Sequence, residues 1–132
     1  MPAIWSFRCY ISPNGTDETR RWHNEQSKQV RAKFLQRLTT LAQLPFEEWR
    51  EPLYKTLHGD CTGLGEIRFK TDNVQQRPLG FRSEEREFTI LFCAIEKSNR
   101  FQPRNACEIA LNRKHETLNL KDRTNALWLA LE

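Results

Sequence analysis

Apolar side chains recur with a period of two at the start of the chain, where Trp5, Phe7, Cys9 and Ile11 alternate with Ile4, Ser6, Arg8 and Tyr10. That spacing predicts a strand over 4–11 with its first-named face buried. Ser12, Pro13, Asn14 and Gly15 end it as a turn. The period then becomes helical: Trp22, Val30, Phe34, Leu38 and Leu41 repeat among Arg, Lys and Gln, and Thr16 or Asp17 can cap the start. One long amphipathic helix is predicted up to about Gln43, stopped by Pro45. Residues 45–51 suit a short second helix carrying Phe46 and Trp49 inward, ended by Pro52.

The pattern is densest from Gly63 to Glu116. Ile67 and Phe69 alternate with Glu66, Arg68 and Lys70, the mark of a strand with one wet face. Thr71, Asp72 and Asn73 supply a turn. Gln76 to Arg82 reads as a second strand with its hairpin tip at Ser83, Glu84 and Glu85. Phe88 to Ile95, FTILFCAI, lacks polar alternation and so belongs at the centre of a sheet, covered on both faces. Gln102 and Pro103 are expected to open a helix, because proline is preorganised for the first helical position, with Ala106, Ile109 and Ala110 as its apolar stripe. In the tail, Leu120, Leu127 and Leu131 share one helical stripe flanked by Trp128, so 118–132 is expected as a helical extension. It would either complete the core or form a partner or homodimer contact.

Composition changes this picture little. With 132 residues, 38% of them hydrophobic and 29% charged, the chain suits one globular domain spanning 1–132. A formal net charge of +4 permits an anionic partner without requiring one. Cys9, Cys61, Cys93 and Cys107 show no CxxC spacing, so reduced thiols and no zinc site are expected. No apolar run approaches the roughly 20 residues of a membrane span, and the first residues lack the pattern of a secretory signal. The expected compartment is the cytoplasm, with no membrane partner.

The ordered combination of an Arg-bearing strand, a meander, a central apolar strand ending in Lys97 and the helix sequence PRNACEIALNRKHE resembles the RelE/ParE toxin superfamily. Its nearest branch is the HigB-like, phage-derived group of toxin–antitoxin proteins. The resemblance covers the central 55 or so residues well and the first 60 by element order. It implies an α+β fold with N-terminal helices packed on a small, mainly antiparallel four-stranded sheet, plus a C-terminal helix. It also implies a toxin that cleaves messenger RNA on the ribosome without metal or cofactor, paired with a helix-turn-helix antitoxin. The alternatives within the resemblance are a gyrase inhibitor acting by contact alone and an inactive phage-derived binding protein.

Cleavage by the 2'-hydroxyl needs a base, an acid and cations around the phosphoryl oxygens. Arg77 matches the family's meander arginine and Lys97 and Arg100 its basic pair at the sheet-to-helix junction, while Arg68 shares a strand face with Lys70. Arg68, Arg77 and Lys97 are the expected phosphate-binding, catalytic set, with Arg77 expected to be exposed. His115, the one histidine of the segment, is the candidate acid or base. Lys70, Arg100, Arg104 and Lys114 are the expected RNA-binding cations, and Phe101 offers a ring for a base to stack on. The tyrosine that many RNA-cleaving members carry before the meander arginine is replaced by Gln76, and a tyrosine at the end of the last helix is missing.

Overall fold

The computed structural model describes residues 3–131. Strand β1 (Ser6–Tyr10) is followed by α1 (Glu18–Asn24), α2 (Lys28–Ala42), β2 (Tyr54–Thr56), β3 (Gly65–Ile67), β4 (Phe69–Thr71), β5 (Val74–Glu84), β6 (Glu87–Lys97), β7 (Arg100–Gln102), α3 (Ala106–Asn119) and β8 (Thr124–Ala126). The sheet is mixed and larger than the four strands expected. Its order is β2-β3-β5-β6-β1-β8, with β4 added to β5 and β7 to β6. β1 runs parallel to β6, while the other pairs are antiparallel. Strands of three residues carry too little periodicity to be read from sequence, and they account for most of the excess.

Helices cover both faces. Val30, Phe34, Leu38, Leu41 and Ala42 of α2 pack with Trp5, Phe7, Ile67, Phe69, Phe88 and Ile90 on one side. Ala106, Cys107 and Ala110 of α3 pack with Leu79, Phe81, Leu91 and Ala94 on the other. β6 lies between β5 and β1, so FTILFCAI is the central strand its pattern predicted. β5 follows it for almost its whole length, interrupted by an irregularity at Leu79/Gly80. Any side chain at Gly80 would run into the Thr89 carbonyl and the Phe88 ring, so glycine is required by this close approach.

Four local expectations are corrected. The long N-terminal helix is two helices, because Ser27 caps a new start by accepting from the Val30 N–H at 3.2 Å. Asp17 caps α1 in the same way. The strand drawn through 66–70 breaks at Arg68 into β3 and β4. Pro103 lies ahead of α3 rather than at its first position, and Asn105 is the cap residue, with no side-chain cap bond. The tail is not a helix after 118. α3 continues to Asn119, Asp122 takes a positive φ, and β8 then pairs with β1. Arg8 bonds to Thr124, and the Leu127 N–H donates to the Phe7 carbonyl. Leu127, Trp128, Leu129 and Leu131 pack on the α2-side core without helical geometry, while Leu120 of the expected stripe is exposed.

The cysteine expectation is corrected in part. Cys61 and Cys107 form a disulfide, while Cys9 and Cys93 are free. The fold sets their Cα atoms 5.3 Å apart across a sequence separation of 46, a proximity that spacing along the chain does not announce. Among the described residues, no helix is long and apolar enough to cross a membrane.

Candidate nucleic-acid interface

Strand register assembles the site. Lys70 pairs with Gln75, Gln75 with Glu96, and Glu96 with Phe101, so one row crosses β4, β5, β6 and β7. Cross-strand partners share a face, and Arg77, two residues beyond Gln75, joins them there beside Ala94. One step further, Lys97 pairs with Arg100 across a tight turn in which Ser98 and Asn99 both have positive φ. Lys97, Arg100 and Arg104 are exposed. The Lys97–Arg100 pair, one residue off the row, falls on the opposite face at the hairpin tip, while Phe101 is half-buried against the α3-side core.

Arg77 is not the exposed arginine expected. Its side chain is 3% exposed, and its Nε–H points between Glu96 Oε1 at 2.9 Å and Glu66 Oε2 at 3.1 Å. Nη1 donates to the Gln76 carbonyl and Nη2 to Gln75 Oε1. Arg68 Nε shares the same Glu66 oxygen at 3.0 Å, and its Nη1 binds Glu51. Two guanidinium groups thus meet three carboxylates. Glu66, placed by its alternation on a wet face, is buried, because β3 lies inside the sheet between β2 and β5. Burial pushes its carboxyl above the ordinary range against the opposing pull of Arg77 and Arg68.

A cleft of about 430 Å³ opens beside this network, lined by Arg37, Glu51, Arg68, Lys70, Gln75 and Arg77 among others. Arg37 reaches in from α2 and donates to the Arg68 carbonyl at the break between β3 and β4, fixing the backbone there. The cleft therefore gathers four cationic side chains, of which Lys70 is exposed and makes no ion pair among the described residues.

His115 and Lys114 are not brought into the row. His115 stands nine residues beyond the first residue of α3, about 13 Å along a helix at its usual rise, exposed and with Nδ1 against the Asn119 amide. Lys114 donates to the Gly63 carbonyl at 2.9 Å and lies over the Phe81 ring. Sequence reasoning passed over Glu96, Glu66, Glu51 and Arg37. The spacing Glu66-x-Arg68 was the one available signal, since neighbours two apart on a strand share a face.

The fold and site define a small α+β protein with a charged, aromatic-edged sheet face left open beyond the reach of α3. The family model for Phage derived protein Gp49-like (DUF891) matches residues 21–115. The chain belongs to this family, a HigB-like toxin family of the RelE/ParE superfamily. The match runs from α1 to α3 and includes every candidate site residue named above. No curated protein and no solved structure is significantly similar to the chain.

Proposed function

We propose that the protein is the toxin of a toxin–antitoxin pair and a metal-independent endoribonuclease that cleaves messenger RNA on the ribosome. The observation that carries this reading is the row from Lys70 through Glu96 to Phe101, with Lys97, Arg100 and Arg104 around its open end. Cations that make no ion pair among the described residues suit phosphates, and the half-buried Phe101 ring suits a base. Glu96 is one-quarter exposed and held by Arg77 Nε, and in this reading it is the carboxylate that takes a proton from a 2'-hydroxyl. Arg77 acts here by orienting Glu96, while Arg68 and Lys70 balance charge at the cleft. His115 has no part in this assembly.

The pairing of Arg68 and Arg77 with three carboxylates supports a second reading, a gyrase inhibitor that works by contact. Purified protein added to translating ribosomes separates the two. Cut messenger RNA is expected, and the Glu96→Gln protein should cut at least tenfold more slowly, in keeping with the range for a lost general base. Intact messenger RNA together with blocked supercoiling would select the gyrase reading instead.

A further inference from the structure

The disulfide joins two pieces of backbone that border the proposed RNA face. Cys61 closes the short 3-10 turn Gly59–Cys61, ahead of β3, and Cys107 lies in the first turn of α3, just after Phe101 and Arg104. The two ends differ in how much else holds them. Around Cys61 the loop is closed by its own backbone bonds, Cys61 to His58, Leu64 to Cys61 and Leu57 to Leu64, and is anchored by buried Leu57 and Leu64. The start of α3 has no side-chain cap, and the Ala106 N–H relies on the Pro103 carbonyl at 3.1 Å. An uncapped helix start is the segment that frays first. The disulfide is the covalent brace on that start.

The bond is also within reach of a reductant. Both cysteines line an open cavity of about 530 Å³ together with Phe101, Arg104, Asp60 and Glu108. Cys61 is the more exposed partner, while Cys107 is 7% exposed. Attack at Cys61 would expel the Cys107 thiolate in the first turn of a 14-residue helix, where unpaired backbone N–H groups stabilise negative charge.

We propose that Cys61–Cys107 is a reversible thiol–disulfide latch that holds the Phe101–Arg104 wall of the RNA face in place. The proposal rests on the RNA-binding reading given above. A dithiol, whether a thioredoxin-like protein or dithiothreitol, opens it. One of its thiolates attacks Cys61 Sγ, the Cys61–Cys107 bond breaks, and the second thiol resolves the mixed disulfide. Two electrons and two protons pass to the protein as two thiols, and the dithiol closes to a disulfide. With the brace gone, the first turn of α3 opens and Arg104 loses its fixed position.

The test uses the full chain, oxidised or treated with millimolar dithiothreitol under native conditions, with the state of Cys61 and Cys107 read by alkylation and mass spectrometry. Amide exchange is followed over residues 105–109, and affinity for a single-stranded RNA is measured at fixed salt. Reduction is expected to speed exchange at 105–109 while far-UV dichroism stays largely native, and to weaken RNA binding several-fold. Cys61→Ser and Cys107→Ser proteins should behave like the reduced form whether or not dithiothreitol is present. A bond that resists the dithiol until the protein is denatured would overturn the latch, as would reduction that leaves 105–109 as protected as before. Faster exchange with no RNA binding in either state would uphold the latch and overturn the RNA reading.

Discussion

Arg77 and Lys97 occupy neighbouring strands at one end of the sheet, and both stand where the superfamily resemblance puts a phosphate-binding cation. Their surroundings are opposite. Arg77 is enclosed, with Glu66, Glu96, Gln75 and its neighbour's carbonyl around the guanidinium. Lys97 stands at a hairpin tip beside Arg100, exposed and without an ion pair among the described residues. An arginine whose donors are already met by two carboxylates, an amide oxygen and a carbonyl must give up such bonds to bind a phosphate, and the buried Glu66 would then lose compensation. An exposed lysine gives up only water. The difference separates residues that build the site from residues free to hold a ligand, a distinction that residue type and order leave open.

The largest effect should come from breaking the inner group. Arg77→Ala removes the cation shared by two carboxylates, one of them buried, and is expected to destabilise the protein by about 3 to 5 kcal/mol. Equilibrium denaturation by urea measures this directly. A loss under about 0.5 kcal/mol, the usual size for a surface change, would mean that Arg77 is as free as Lys97 and would erase the contrast.

Glu66 provides a subtler probe of the same group. Its folded carboxyl titrates above the ordinary value because burial outweighs its two arginines. The native state therefore holds this proton more tightly than the unfolded state does. The resulting stability is complete below the ordinary carboxylate range and is lost as pH rises through the raised value. Glu66→Gln removes that titration, so the fall in unfolding free energy with rising pH should become shallower. Identical slopes for the two proteins from acid to neutral pH would show that the arginines prevail and that Glu66 is charged throughout.

Much of the fold was legible where one segment is long enough to display a period. The 11 residues of β6 and the 15 of α2 announced themselves, and the Asp72–Asn73 turn matches its two positive φ values. Three-residue strands show no period, so β2, β7 and β8 were invisible. Of the stripe Leu120, Leu127 and Leu131, Leu131 is buried and Leu127 packs on the core while Leu120 is exposed, and burial is a demand that a strand edge and a loop can also meet. Within the site, sequence located Lys70 and Arg77 on strands and Lys97 at the end of the central one, while Arg68 falls at the break between β3 and β4 and Phe101 lies on the unforeseen β7. It did not show that Glu51, Glu66 and Glu96 turn toward the arginines, because that follows from which strands become neighbours. The disulfide was hidden for the same reason.

The smallest stability effect should accompany a clear functional one, at the outer group. Lys97→Ala and Arg100→Ala, alone or together, remove exposed charges at a turn whose geometry depends on Ser98 and Asn99 rather than on either cation. Each should change stability by no more than about 0.5 kcal/mol. If these side chains meet RNA phosphates, each loss should make the plot of log affinity against log salt shallower by about 0.7, the value for one counterion released from a single strand. The double replacement should then lower the slope by about twice that, and growth inhibition at equal expression should fall with it. Arg68→Ala supplies the internal contrast, since a guanidinium already paired with Glu51 and Glu66 has little counterion effect to give. A slope untouched by the outer replacements and reduced by Arg68→Ala would reverse the assignment, making the inner arginines the phosphate ligands and the hairpin tip merely solvated.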